Sequence, residues 1–275
     1  DPLTAPIQRD GNTYTFTANI SEPIVVQRNN IIVDGNNYTL QGTGDSKGFD
    51  LSSRLNVTIK KIYITDFDYG IYLRESTGNS IESSTITNCV YGVLLDRSPN
   101  TTIRNNIITN NRWDGIFLTA SDSSTIKNNT VINHGKWGLY LGYSLGVTLR
   151  DNKIARNRWN FGVSISFIHD IDDSNTLDGK PIYYWINHHD EQVPANAGYV
   201  AIINSLNITA RNLNLTKNGQ GLVLVNSKKC LIENSLITKM GYYGIQLVNS
   251  DDNIICTNNV TDNKDGYFDV GIVLS

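Results

Sequence analysis

Gly70-Ile71-Tyr72-Leu73, Asn79-Ser80-Ile81 and Ser84-Thr85-Ile86-Thr87-Asn88 are three short segments that lead directly into a second round beginning Gly92-Val93-Leu94-Leu95. Each alternates apolar and polar residues at period two, and each is too short for a helix. One face of every segment therefore points inward and the other outward, as in a strand. Three strands in 22 residues, returning to the same pattern, describe one turn of a coil.

Working outward from this round, a glycine followed by an apolar-x-apolar triplet recurs at Gly48, Gly70, Gly92, Gly115, Gly138, Gly162, Gly198, Gly221, Gly244 and Gly271. The successive spacings are 22, 22, 23, 23, 24, 36, 23, 23 and 27 residues. A period in the low twenties with one long interruption marks a solenoid carrying an insertion. The pattern predicts an all-β fold, a single-stranded right-handed parallel β-helix of about ten coils with three short strands per coil and one inserted hairpin. Strands one coil apart lie roughly 4.8 Å from each other, so equivalent residues form ladders. One inward ladder is expected through Ile71, Val93, Ile116, Leu139, Val163, Leu222 and Ile245. Its neighbour runs through Leu73, Leu95, Leu118, Leu141, Ile165, Leu224 and Leu247.

Two polar ladders are also expected, Asn106–Asn129–Asn152 and Asn88–Asn110–Asn133–Asn157, because stacked amides at a bend can bond to those above and below. Their repetition makes them architecture rather than a ligand site. Of the three cysteines, Cys230 and Cys256 fall on inward positions two residues out of register, roughly 8 Å apart by strand geometry and beyond disulfide reach. Free, buried thiols are expected there; Cys89 falls at a turn without an evident partner.

The chain reads as one domain over 1–275: an N-terminal cap at 1–24, coils over 25–166, an insertion at 167–197 and further coils over 198–275 with an open end. The cap, with Tyr14-Thr15-Phe16-Thr17, is expected to cover the first coil, since a bare strand edge invites pairing with other chains. Gly271-Ile272-Val273-Leu274-Ser275 starts a coil and stops, so either the native chain continues or another copy or domain joins there. In the insertion, the turn signal Asp178-Gly179-Lys180-Pro181 followed by Ile182-Tyr183-Tyr184-Trp185-Ile186 predicts a hairpin folded over one flank of the solenoid.

Charge is near balance at −3 and the Lys and Arg residues are scattered, which argues against nucleic acid as a partner. No apolar run is long enough to span a bilayer. No CxxC pair or Cys/Met/His spacing suits a metal, and no cofactor motif appears. Eight Asn-x-Ser/Thr sequons, at Asn19, Asn37, Asn56, Asn100, Asn128, Asn207, Asn214 and Asn259, suit a glycosylated protein outside the cell or on its surface.

The repeated Asn-x-Thr-Ile and Gly-Ile-x-Leu elements resemble the parallel β-helix repeats of the NosD-like proteins, also called carbohydrate-binding and sugar-hydrolysis domains. Asp178-Gly179-Lys180-Pro181-Ile182-Tyr183-Tyr184 and Gly198-Tyr199-Val200 resemble a segment recurrent in archaeal surface members. The resemblance covers nearly the whole chain and implies the same fold. It leaves the activity open, since that family spans surface proteins, copper-delivery proteins and epimerases.

Two functional readings follow. The outward residues Tyr72, Leu94, Phe117 and Tyr140 should form one apolar stripe, and Tyr69, Tyr91, Trp113, Trp137, Trp159 and Tyr243 precede the turn glycines. Stacked aromatics suit an extended glycan, with Tyr72, Phe117, Tyr140, Trp113 and Trp137 as the binding residues, unless the insertion hairpin covers them. On this reading the protein is a non-catalytic structural or adhesive module, with a surface polysaccharide as partner. The other reading is a polysaccharide lyase, epimerase or hydrolase using His169, Asp170, His188 and Asp190 of the insertion. Against it, the outward strand positions lack the carboxylates that such β-helix enzymes carry. The Gly-His-Gly signature of polygalacturonases and the Asp-Pro-His-Glu signature of mannuronan epimerases are also missing.

Overall fold

The computed structural model describes residues 5–263 and 271–275. Their regular elements are all strands, wound into a right-handed parallel solenoid of about 11 turns. Successive coils pair parallel and in register. Ile59, Ile81, Ile103 and Ile126 stack in the first wall, Ile64, Ile86, Ile108 and Val131 in the second, and Ile71, Val93, Ile116 and Leu139 in the third. All of these side chains are buried. Each contributes roughly 1.5–3 kcal/mol relative to exposure, which offsets the entropy of fixing so many short strands.

The amide ladder of Asn106, Asn129 and Asn152 is present and runs on to Asn175. Each Oδ1 accepts the backbone N–H one coil earlier, at 2.9 Å from Ser84 and 3.0 Å from Asn106. The other expected ladder holds between Asn110 and Asn133, where the Asn133 Nδ2 donates to the Asn110 Oδ1 at 3.2 Å, and otherwise needs correcting. Asn88, Asn110 and Asn133 are exposed and sit at φ of 54, 54 and 63°, a left-handed bend that asparagine tolerates better than most residues. Asn157 belongs one column further on, in a buried series of Cys89, Asn111, His134, Asn157 and Asn160, each bonded to the next through a backbone N–H.

The register slips at Gly162, which stands level with Tyr140 rather than Gly138. Phe161 and Val163 therefore extend the two inward ladders, and Ile165, expected inside, is 65 % exposed. Likewise Tyr199, not Gly198, stands level with Gly221, as fixed by the pairing of Val200 with Leu222. All three cysteines are free; Cys89 and Cys230 are buried. Cys256 is not a core thiol, since it stands level with Glu233 and is half-buried while Ile255 pairs with the inward Ile232.

At the N-terminus, Ile7–Asp10 pairs antiparallel with Thr13–Phe16, which pairs parallel with Ile32–Asp34 and so lies across the edge of the first wall. Residues 1–4 of the expected cap lie outside the described residues.

The insertion does not fold over a flank; it continues the second wall. Asp178 and Gly179, at φ of 47 and 82°, form a two-residue hairpin turn of the kind that matches strand twist. Thr176–Leu177 therefore pairs antiparallel with Lys180–Ile186, and Lys180–Ile186 pairs parallel with Tyr199–Ile203. From here the strands run in the opposite direction along the same sheet. A solenoid that keeps its right hand while its strands reverse has its interior on the other face of that sheet. The packing has this form: Ile182, Tyr184, Tyr199, Ala201, Ile203, Val223 and Val225 close the first core, whereas Val200, Ile202, Leu222 and Leu224 line a second. Both faces of Tyr199–Ile203 are thus buried, as in a sheet covered on two sides. The second core is completed by two three-stranded sheets and by Tyr243–Val248.

Candidate aromatic face and basic seam

The outward side of the third wall carries the expected stripe in register, Tyr72 beside Leu94, Leu94 beside Phe117, and Phe117 beside Tyr140. One end of the stripe is closed by Lys47, whose ammonium lies 4.0 Å from the Tyr72 ring centroid and 2.7 Å from Asp50. The insertion hairpin covers none of it. Tyr183 and Trp185 pack against the second core and Tyr184 against the first.

The other end is covered by the second half of the chain. Tyr242 lies 5.3 Å from the Trp137 ring and 6.3 Å from that of Tyr140. Trp137 is 1 % exposed and Tyr140 8 %, so Trp137 is a structural residue rather than a binding surface, and Tyr140 offers only an edge. The approach needs glycines: a Cβ on Gly241 would stand 2.9 Å from the Trp159 indole, and one on Gly219 would stand 3.0 Å from the Gly162 Cα. Tyr72 and Phe117 stay half-buried, and Trp113 is 48 % exposed.

Beside the stripe runs the turn column. Tyr69 and Tyr91 stack with centroids 5.0 Å apart and planes within 3°, and Trp113 meets Tyr91 edge-on at 5.4 Å. Tyr69 also touches Tyr72 at 5.2 Å, which joins column and stripe into one aromatic surface. The residue level with Tyr91 and Trp137, however, is Asp114, set by the pairing of Ile116 with Val93 and Leu139. Asp114 is buried, and its Oδ1 accepts the Trp137 backbone N–H at 3.0 Å. Burial pushes its carboxyl up to about 6 against the pull of that bond and of Lys136. Burial, then the charge of Asp114, pushes the Tyr91 phenol up to about 12. Asp114 is not among the candidate residues of the sequence, yet its position is legible there: it precedes Gly115 where Tyr69, Tyr91 and Trp137 precede their glycines. At 1 % exposure Asp114 holds the bend beneath the rings through its bond to the Trp137 N–H.

The insertion residues of the enzyme reading do not form such a site. His169 is buried, its Nδ1 accepting the Val147 N–H and its Nε2 donating to the Ser166 carbonyl, and burial pushes its imidazole down to about 4. Asp170 pairs with Arg150 at 2.6 Å. His188 stacks on Trp185 and meets Glu191 at 3.0 Å, while the exposed Asp190 accepts the Asn207 amide. Among the described residues, no group of three or more His, Cys, Asp or Glu is placed to hold a metal ion. No helix among them is long and apolar enough to cross a membrane. All eight sequon asparagines are exposed.

Past Trp137 the column continues to Trp159, at a ring distance of 4.9 Å. There the two halves of the chain meet in a cleft of about 450 Å³ lined by Arg156, Arg158, Trp159, Lys217, Lys239 and Asp262. A second cleft, of about 880 Å³, lies beneath the N-terminal hairpin between Tyr14, Ile20, Val26 and Ile31.

The model of the right-handed β-helix region matches residues 10–154, 47–184 and 167–275. No curated protein matches the chain by sequence. Among solved structures it is similar to the periplasmic alginate epimerase AlgG (16 % identity, TM-score 0.47, 84 % of this chain and 60 % of that one). It is also similar to the A-module of the mannuronan C-5 epimerase AlgE6 of Azotobacter vinelandii (13 %, TM-score 0.45, 96 % and 79 %). A third is PfbA, a surface adhesin of Streptococcus pneumoniae (12 %, TM-score 0.45, 88 % and 69 %). The chain thus spans about 60 % of the length of the periplasmic epimerase, and these likenesses concern the fold.

Proposed function

Because the chain belongs to the right-handed β-helix family, whose stacked coils present like side chains on a rigid face, we propose that it is a non-catalytic extracellular or cell-surface module that binds an extended glycan. The observation that carries this reading is the joined aromatic surface of Tyr69, Tyr72, Tyr91 and Trp113, continued through Leu94 to Phe117. Sugar rings present C–H faces that pack on aromatic side chains. Strands a coil apart set a ladder of contacts along one axis, which suits a linear polymer. The face is largely pre-organised, since Tyr69, Tyr72, Tyr91 and Phe117 stand on parallel strands and only Trp113 lies on a bend, so little ordering entropy is lost on binding.

The exposure of all eight sequon asparagines supports a glycosylated protein outside the cell. Within the family we place it with the NosD-like archaeal surface members, on Asp178-Gly179-Lys180-Pro181-Ile182-Tyr183-Tyr184.

The test is a glycan-array assay in which product formation is followed on the same neutral and acidic polysaccharides. Binding without product, weakened in Trp113→Ala and Tyr91→Ala, is the expected result. Turnover, or binding indifferent to both substitutions, overturns the reading.

A further inference from the structure

The cleft between the two halves is built by two sets of bends. Arg156 occupies the left-handed bend that Asn88, Asn110 and Asn133 occupy in earlier coils, and Lys217, Lys239 and Asp262 occupy the corresponding bend of the second half. A bend of this kind turns its side chain away from the core. The strand reversal brings the two columns together, joined by the Asn160 N–H donating to the Lys217 carbonyl at 2.6 Å and the Gly219 N–H donating to the Phe161 carbonyl at 2.7 Å. Arg158 completes the set, its guanidinium 4.5 Å from the centroid of the Trp159 ring.

Four cations therefore face one cleft against the single carboxylate of Asp262. The nearby Asp178 is engaged by the backbone N–H of Arg156 and the side-chain amide of Asn160. Arg156 does donate to the Asn133 side chain, but among the described residues none of the four cations forms an ion pair. Elsewhere some Arg and Lys are matched, as in Arg74 with Asp96, Arg104 with Glu82 and Arg150 with Asp170, and others stand singly; the cleft differs in bringing four cations to one place. In a chain of net charge −3, four cations without ion pairs gathered in one shallow, open cleft are a place for an anion. Guanidinium groups bind planar carboxylates and sulfates through two parallel hydrogen bonds, and the ammonium groups add charge without demanding an angle. Nucleic acid fits less well, because it needs an extended cationic track and these four charges are confined to one cleft.

We infer that this seam binds the acidic group of a polysaccharide, a uronate carboxylate or a sulfate ester. Trp159 links the cleft to the aromatic column through its contact with Trp137. The inference rests on the glycan reading of that column and names the class of glycan.

The experiment is titration calorimetry of the whole chain with an oligogalacturonate, its fully methyl-esterified counterpart, a sulfated oligosaccharide, inorganic sulfate and a single-stranded oligodeoxynucleotide. The acidic oligomers are expected to bind more tightly than the ester and to weaken as ionic strength rises. The double substitution Arg158→Gln with Lys239→Gln, both at exposed side chains, is expected to lower acidic affinity about five- to tenfold and to leave the ester unaffected. Circular dichroism checks that the double variant is folded. Equal binding of acid and ester, or no effect of the double variant, overturns the inference. So does inorganic sulfate or the oligonucleotide binding as well as the acidic saccharides. The two readings fail separately. Ester binding lost in Trp113→Ala with the charge variant silent leaves only the aromatic face. Acidic binding lost in the charge variant and untouched by Trp113→Ala leaves only the seam.

Discussion

Tyr199 and Val200 are neighbours in sequence and lie in different cores. Tyr199 packs edge-on against Phe161 at 5.1 Å and closes the first, while Val200 pairs with Leu222 inside the second. The strand that holds them is a wall common to both, so the two halves should unfold together. Tyr199→Ala is expected to cost about 3–5 kcal/mol and Val200→Ala somewhat less, each lowering one shared transition in urea. Two separate transitions in the parent protein would show that the wall does not couple the cores.

His134 stands in a column otherwise continued by Asn111 and Asn157. Its Nδ1 accepts the Asn111 N–H at 3.1 Å, so its Nε2 carries the proton and donates to the Ile108 carbonyl. The Asn111 side-chain nitrogen is buried without an acceptor. In the neighbouring ladder the same atom of Asn106 donates to Asn129 Oδ1 at 3.1 Å. His134→Asn should supply that acceptor and stabilise the protein by about 1 kcal/mol at neutral pH, read as a raised urea midpoint.

The same substitution should change the response to acid. Burial pushes the His134 imidazole from 6.5 down to about 4, and His169 shifts likewise. A lowered folded value means that the unfolded chain takes up protons first. The stability these groups give is complete above about 6.5 and is lost as pH falls towards 4, by roughly 3 kcal/mol for His134. Melting temperature between pH 7 and pH 4 should fall less steeply in His134→Asn than in the parent protein, and parallel curves would refute the assignment.

Asp114 acts with the opposite sign. Its folded value, raised to about 6 from 3.8, favours the proton in the native state, so its contribution is greatest below about 3.8 and is lost as pH rises through 6. Asp114→Asn keeps an oxygen for the Trp137 N–H and removes the charge, and should gain about 2–3 kcal/mol above pH 6 and nothing near pH 3.5.

Gly241 sets how closely the second half lies against the first. With a Cβ only 2.9 Å from the Trp159 indole, Gly241→Ala should cost about 1–3 kcal/mol through overpacking. Tryptophan emission should shift to the red as Trp137 and Trp159 lose cover. An unchanged spectrum and stability would mean that the seam yields without strain.

Much of this protein is determined by its sequence alone. A period of 22–23 residues, alternation at period two and asparagine at the bends admit a coil of three short strands, because stacked coils bury one side chain in two and make each coil repeat the last. The stripe of Tyr72, Leu94 and Phe117 was legible for the same reason, as was the turn at Asp178-Gly179. What tertiary structure decided began at that turn. A hairpin signal says that the chain reverses, but not which face of the sheet the reversed strands will use. That follows only once the hand of the winding and the existing core are fixed together. The burial of Trp137, the split between Tyr199 and Val200, and the meeting of Arg156 and Arg158 with Lys217 and Lys239 all come from it. These contacts join residues far apart in the chain, and the repeat, which relates each residue only to its equivalent one coil away, carries no trace of them.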